Sequence, residues 1–266
     1  MTSIRSALLC AAGALLFSAV QVYAGPPPPP TPAPTVESPW EFRFEPYLWG
    51  AGITGVTGVR SREVPVDLGF KKLFDHLKMA IPVEMEVRYK RFGLLTDIMY
   101  ADIGGYIETP FDRRVQQLAI DDKMLIFQVI PNYRLWRSDK GFFDLLGGLR
   151  GWSMKLRLTD FRDIGPIGRP NFIYENRSQS KTWVDLVGGA RGQYFLYQGL
   201  FVAAYGDIGG GSSELTWQVQ GTLGYKFSKL VSAEVGWRLL SDDYRSGGFT
   251  YNVKQQGVFA GVSFTW

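Results

Sequence analysis

Two segments set an acid and a base at the same spacing. "DLLGGLRG" runs from Asp144 to Gly151 and "DLVGGARG" from Asp185 to Gly192, so the frame Asp-Leu-x-Gly-Gly-x-Arg-Gly occurs twice. Buried opposite charges either pair with one another or set the charge preference of a water path. A third chemistry is weaker. The only histidine, His76, stands beside Asp75 in "LFDHLK", and adjacent residues seldom present a joint catalytic site. No H-E-x-x-H, P-loop or metal-ligand spacing occurs. The expectation is no catalytic residue, no metal site and no cofactor. A second echo, "YADIGG" and "YGDIGG", places Asp102 and Asp207 near an outer rim. Two carboxylates there could hold a hard cation, but turn chemistry before a loop also asks for Asp and Gly and is the preferred reading.

The elements that position these residues are strands. "GVFAGVSFTW" puts Val258, Ala260, Val262, Phe264 and Trp266 on one face and mostly small or polar residues on the other. "LTWQVQGTLGYKF", "VSAEVGWRLL" and "PVEMEVRYK" alternate in the same way. A soluble sandwich also alternates, so period two alone does not decide the class. Three further features do. The strands outrun the usual five or six residues of soluble strands. Aromatic residues gather near strand ends, as at Trp40, Phe42 and Phe44, Tyr89 and Phe92, Tyr133 and Trp136, Tyr194 and Phe195, Tyr225 and Phe227, and Trp266. Tight connections near Lys90–Gly93, Arg137–Gly141, Tyr197–Gly199 and Phe227–Lys229 alternate with longer ones near Gly55–Lys78, Gly105–Leu118 and Asp160–Ser180. These are the marks of an all-β protein, a transmembrane antiparallel up-and-down β-barrel.

About ten strands fit, with eight and twelve as the neighbouring even counts. They run near 40–54, 79–91, 94–105, 119–136, 142–158, 182–196, 200–209, 214–228, 230–242 and 249–266.

An arginine facing lipid at mid-bilayer costs about 2–4 kcal/mol, a cost the lumen face escapes. The charges therefore point inward. Parity puts Glu84, Glu86, Arg88, Arg134, Asp144, Arg150, Asp185, Arg191, Glu234 and Arg238 in the lumen, with Glu41, Arg43 and Glu45. Gln128, Asn132, Gln193, Gln218 and Gln220 share that face. The expectation is an ion-pair network that fills the lumen; a narrow charge-lined channel for small solutes is the alternative.

Outside this body the chain reads differently. Residues 1–24 have an early Arg5, a short apolar run and Val22-Tyr23-Ala24, the pattern of a signal peptide. The only cysteine, Cys10, lies within them. Residues 25–38 hold "GPPPPPTPAPT", an extended polyproline spacer toward the periplasm. The barrel then covers 39–266. A net charge of +4 with interspersed signs gives no nucleic-acid stripe. "FKKLFDHL" repeats Phe70, Leu73, Phe74 and Leu77 at helical spacing, which fits a short amphipathic helix capping the barrel mouth, with a plain loop packed on itself as the alternative. Arg60, Arg62, Lys71, Lys72, Arg113, Arg114, Arg162 and Arg169 stand in the outer loops, where cations can meet the phosphates of lipopolysaccharide.

The last strand, with Gly261, Phe264 and Trp266, resembles the C-terminal assembly signal of small Gram-negative outer-membrane β-barrel proteins. Many of them end in Phe, and Trp266 departs from that. "EPYLWGAGITG", "YGDIGGG" with "LTWQ", and "GWRLLSDDY" resemble a widespread branch of the same barrels. The resemblance covers nearly all of the chain after the spacer. It implies the cell outer membrane, its lipids and the barrel-assembly machinery as surroundings, and it implies no activity. A structural or surface-interaction role is the expectation, with a porin-like channel as the alternative.

Overall fold

A stretch that alternates apolar with polar or small residues is satisfied only as a strand whose two faces meet unlike surroundings. In the computed structural model, which describes residues 38–59, 62–107, 115–163 and 172–266, such stretches close on themselves. The strands are β1 (Trp40–Val59), β2 (Arg62–Leu68), β3 (Leu77–Tyr89), β4 (Phe92–Ile107), β5 (Val115–Ser138) and β6 (Gly141–Asp163). They continue with β7 (Phe172–Tyr197), β8 (Leu200–Gly211), β9 (Leu215–Lys226), β10 (Val231–Ser246) and β11 (Phe249–Thr265). One short helix, α1 (Phe70–Asp75), lies between β2 and β3. From β3 to β11 each strand pairs antiparallel with the next, and β11 returns to β1 with Phe264 opposite Phe44. The result is a closed up-and-down barrel of ten staves, with β2 as a short eleventh strand. The segment read as a signal peptide and nearly all of the spacer lie outside the described residues.

Two expectations are corrected. The connections near Gly105–Leu118 and Asp160–Ser180 are largely ladder, with Gly105 opposite Ile120 and Asp160 opposite Glu175. Alternation is imposed by lipid on one face, so the hydropathy pattern stops where the bilayer stops, while backbone bonds let the hairpin continue into water. The connection near Gly55–Lys78 contains β2 and α1. It does not cap the mouth; it breaks the wall. β1 pairs with β3 only from Trp40 to Pro46 and with β2 only from Ile53 to Val59. Pro46 and Pro82 stand where the β1–β3 ladder ends, and neither has an N–H to extend it. In the interval α1 lies against β1, with the Phe70 ring beside Gly50, where an added Cβ would come within 3.1 Å of it.

The outer face carries the exposed apolar side chains, Leu48, Leu186, Ile208 and Trp237 among them. Trp40, Phe42, Tyr89, Phe92, Tyr133, Trp266 and Phe227 form an exposed aromatic ring at the end where β1 starts and β11 stops, called the near end here. Phe195 departs from the expected girdle. Strand alternation puts Phe195 on the inward face with Arg191 and Gln193, where its ring meets Phe201 at 5.7 Å, and a bulge follows between Phe195 and Tyr197. Inward-facing Gly148 and Gly189 permit the tight curvature. A Cβ at either would fall 2.2 Å from Val129 O or 2.0 Å from Gly206 O.

Candidate functional site: a lumen in two halves

The two repeats are partners. β6 and β7 pair so that Asp144 faces Arg191, Gly147 faces Gly188 and Arg150 faces Asp185. Each copy therefore offers its acid to the other's base across one hairpin. The lumen uses the first match directly: Arg191 Nη2 donates to Asp144 Oδ2 at 3.0 Å. Asp144 is fully buried and also accepts from Arg88 at 2.8 Å and from Arg134 Nε at 2.8 Å. Glu86 accepts from Arg88 and from Arg191, each at 2.6 Å. Arg43 binds Glu45 at 2.6 Å and reaches Glu84, and Glu234 accepts from Thr222 at 3.0 Å. Three arginines thus share two carboxylates from β3 and β6. Removing one partner from such a buried set costs about 3–5 kcal/mol, because the charges left behind have no water to turn to.

The second match is not used as drawn. Arg150 turns across the lumen to Asp207 at 2.6 Å, with Gln128 at 3.0 Å and Thr216 at 3.1 Å. Asp207, expected at the outer rim, is therefore buried inside; Asp102 alone lies outward, paired with Lys123 at 3.2 Å. Asp185 instead accepts from the Ser213 N–H and hydroxyl, both at 2.7 Å, and pins the β8–β9 tip to β7. Arg238 donates to Asp97 at 2.7 Å, Gln218 at 3.1 Å and the Tyr47 hydroxyl at 3.0 Å. Tyr47 in turn donates to Asp97 at 2.7 Å. Asp97, Tyr47 and Tyr205 escaped the sequence reading as lumen residues, while Asp207 was expected at the rim. Parity could have found Asp97, two residues along the inward face from Leu95.

A cavity of about 250 Å³ runs inward from the near-end turns, bounded by Ser138 and Lys229 at the mouth. Glu41, Gln193 and Gln220 line its walls, and it stops at Asp97, Gln128 and Gln218. Above that floor the lumen changes character. Trp152 and Trp183 stack at 5.6 Å and 7°, and Trp183 and Tyr244 at 4.1 Å and 5°. Tyr251 and Phe249 tilt against Trp183. Met124, Ile126, Met154, Leu156, Leu240 and Val253 complete a buried apolar layer across the barrel. Two polar atoms inside it, Trp152 Nε1 and Trp183 Nε1, have no hydrogen-bond partner.

The remaining expected residues lie apart from this. His76 Nδ1 donates to Lys72 O at 2.6 Å, and Asp75 pairs with Lys71 at 3.1 Å, so the neighbours do not act together. Of the loop cations, Lys71 and Lys72 sit on α1, while Arg60, Arg113, Arg114 and Arg169 fall outside the described residues. Gly261 faces inward onto Glu45; Phe264 and Trp266 face outward, and Trp266 exchanges backbone bonds with Phe42 at 2.9 and 3.0 Å.

No family model and no curated protein matches the chain. Solved structures do. The crystal structure of the outer membrane protease OmpT from Escherichia coli matches with a TM-score of 0.51 at 9% identity, covering 85% of this chain and 97% of that one. Neisserial surface protein A matches at 0.36 and 12% identity, covering 85% and 97%. Ail, the attachment invasion locus protein of Yersinia pestis, matches at 0.34 and 12%, covering 86% and 99%. The likeness to OmpT is one of fold: a closed antiparallel barrel of the outer-membrane type.

Proposed function

We propose that this chain is an outer-membrane barrel closed to ions and small solutes, with a structural or surface-interaction role exerted from its far rim. One observation carries the reading: the near-end cavity ends blind at Asp97, Gln128 and Gln218, under a continuous apolar layer. Ions crossing the apolar layer would lose hydration without gaining a partner. In this reading the aromatic ring and the apolar outer face meet outer-membrane lipid. Exposed Lys71 and Lys72 on α1 meet lipopolysaccharide phosphates, and Gly261, Phe264 and Trp266 present the terminal strand to the assembly machinery. Catalysis has no part in it.

The alternative, a narrow channel, draws on the near-end cavity, which already takes solvent halfway. Single-channel conductance of the refolded protein in a planar bilayer separates the two, after heat-modifiable gel mobility has shown folding. The expected result is silence. Discrete steps whose ion preference changes in Arg150→Ala or Arg191→Ala establish a channel and end the closed reading.

A further inference from the structure

A break in the wall meets the apolar layer between β1 and β3. Between Pro46 and Ile53, β1 has no strand on its β3 side. Ten tilted residues rise about 25 Å, the height of the apolar belt, so Gly50 and the Phe70 ring beside it lie at the outer leaflet when Trp40 marks the near interface. On the outside of this break, Leu48, Phe70, Phe74, Met79 and Ile81 are exposed, Leu48 by 73%. On its inside, Leu68, Leu73 and Leu77 pack against the buried apolar layer. Along the other paired strands a hydrogen-bonded wall separates lipid from lumen. It ends at the β8–β9 tip, beyond which β7 before Asp185 and β10 after Asp243 have no strand between them. At the β1–β3 break apolar side chains run from one side to the other past a six-residue helix. That helix is held lightly. None of its residues is buried, and no side chain caps its N-terminus.

We propose that the far half of the lumen binds a neutral, largely apolar molecule carrying one oxygen acceptor, admitted sideways from the outer leaflet between β1 and β3. The unpartnered N–H groups of Trp152 and Trp183, 0% and 3% exposed, supply the donors that such an oxygen would satisfy. The cluster around them is bordered by the buried carboxylates of Asp185, two residues from Trp183, and Asp242, between Leu240 and Tyr244, so an ester, ketone or alcohol fits and an ionised acid does not. Met99, Met124 and Met154 line the way from the break to the indoles. Their unbranched side chains repack readily around a guest. This goes beyond closure to ions, which it leaves intact: the polar floor below still blocks the axis.

The test is photolabelling of the full chain, with Cys10→Ser, folded in phosphatidylcholine vesicles. The probe is a methyl dodecanoate bearing a diazirine, and adducts are located by peptide mass spectrometry. Adducts are expected on Met124, Met154 or Trp152 as well as on lipid-facing side chains. Unlabelled methyl dodecanoate should compete for the lumen positions roughly tenfold better than dodecane, the ratio that one extra hydrogen bond gives. That preference should vanish in Trp152→Phe/Trp183→Phe, which keeps the rings. A disulfide between Leu48→Cys and Ile81→Cys should slow lumen labelling about tenfold, reversibly with reductant, while outward labelling persists. Adducts confined to outward residues overturn the site. Equal competition by ester and alkane overturns the hydrogen bond, and indifference to the disulfide overturns the lateral route. The first two readings need only the natural lumen, so a variant that fails to fold leaves the proposal exposed to refutation. Conductance is scored separately, so failure here and failure of the closed reading are distinct.

Discussion

The near and far halves of the lumen are closed by opposite physics. Around Asp144 the buried groups are mostly charged or polar, with a small apolar patch of Leu95, Ile130, Leu146 and Val187 beside them. Closure there depends on each donor finding an acceptor. Around Trp183 closure depends on shape, with stacked rings and methionines filling the width. The difference teaches where each half is fragile. A polar network fails through the partner left behind, whereas an apolar layer fails through the volume lost.

Substitutions can break that contrast or sharpen it. The largest effect is expected of Asp144→Ala, which takes the carboxylate from Arg134 and leaves Arg88 and Arg191 to share Glu86 alone; unfolding in denaturant, followed by tryptophan fluorescence in vesicles, should show a loss of about 3–5 kcal/mol. A loss near zero would mean that the near half is wetter than its burial indicates. Trp183→Ala should cost about 3 kcal/mol by the same measurement, the price of a cavity in a packed layer. The pair Arg150 and Asp207 separates the two mechanisms. Arg150→Met alone should be costly, Arg150→Met with Asp207→Leu should recover most of the loss, and the cycle should give a coupling of about 2 kcal/mol. An additive cycle would show that the two charges do not depend on each other. Ile126→Val trims one methylene from the apolar layer and should cost about 1 kcal/mol. Lys71→Ala, an exposed helix pair with Asp75, should change stability by less than about 0.5 kcal/mol.

How much of this was legible depends on whether lipid or the lumen imposed the pattern. Lipid forces alternation, so the staves, the inward parity of Asp144 and Arg150 and the tight near-end turns could be read from residue order alone. Beyond the bilayer that pressure ends, and the extensions of β5, β6 and β7 left no mark in hydropathy. Within the lumen, parity says that a side chain points inward but not which inward partner it meets. Arg150 stands opposite Asp185 in the ladder yet binds Asp207 from another strand. The apolar layer was half visible, since Trp152 shares its face with Arg150, but an inward tryptophan among charges does not announce a whole layer. The wall break had a signal that went unread. Pro46 and Pro82 both sit in strands that should donate to each other.

The reciprocal repeat has one more consequence. Its frame is a palindrome in charge: laid antiparallel against a second copy of itself, "DLLGGLRG" again sets Asp144 opposite Arg150 and glycine opposite glycine. The segment that closes β6 on β7 within one molecule would close equally well on the same segment of a neighbour. Inside one chain the connecting loop holds the matching copy close and wins by proximity. In a crowded unfolded sample that advantage shrinks, and mispaired, swapped assemblies should grow with protein concentration while dilute chains find their own hairpin.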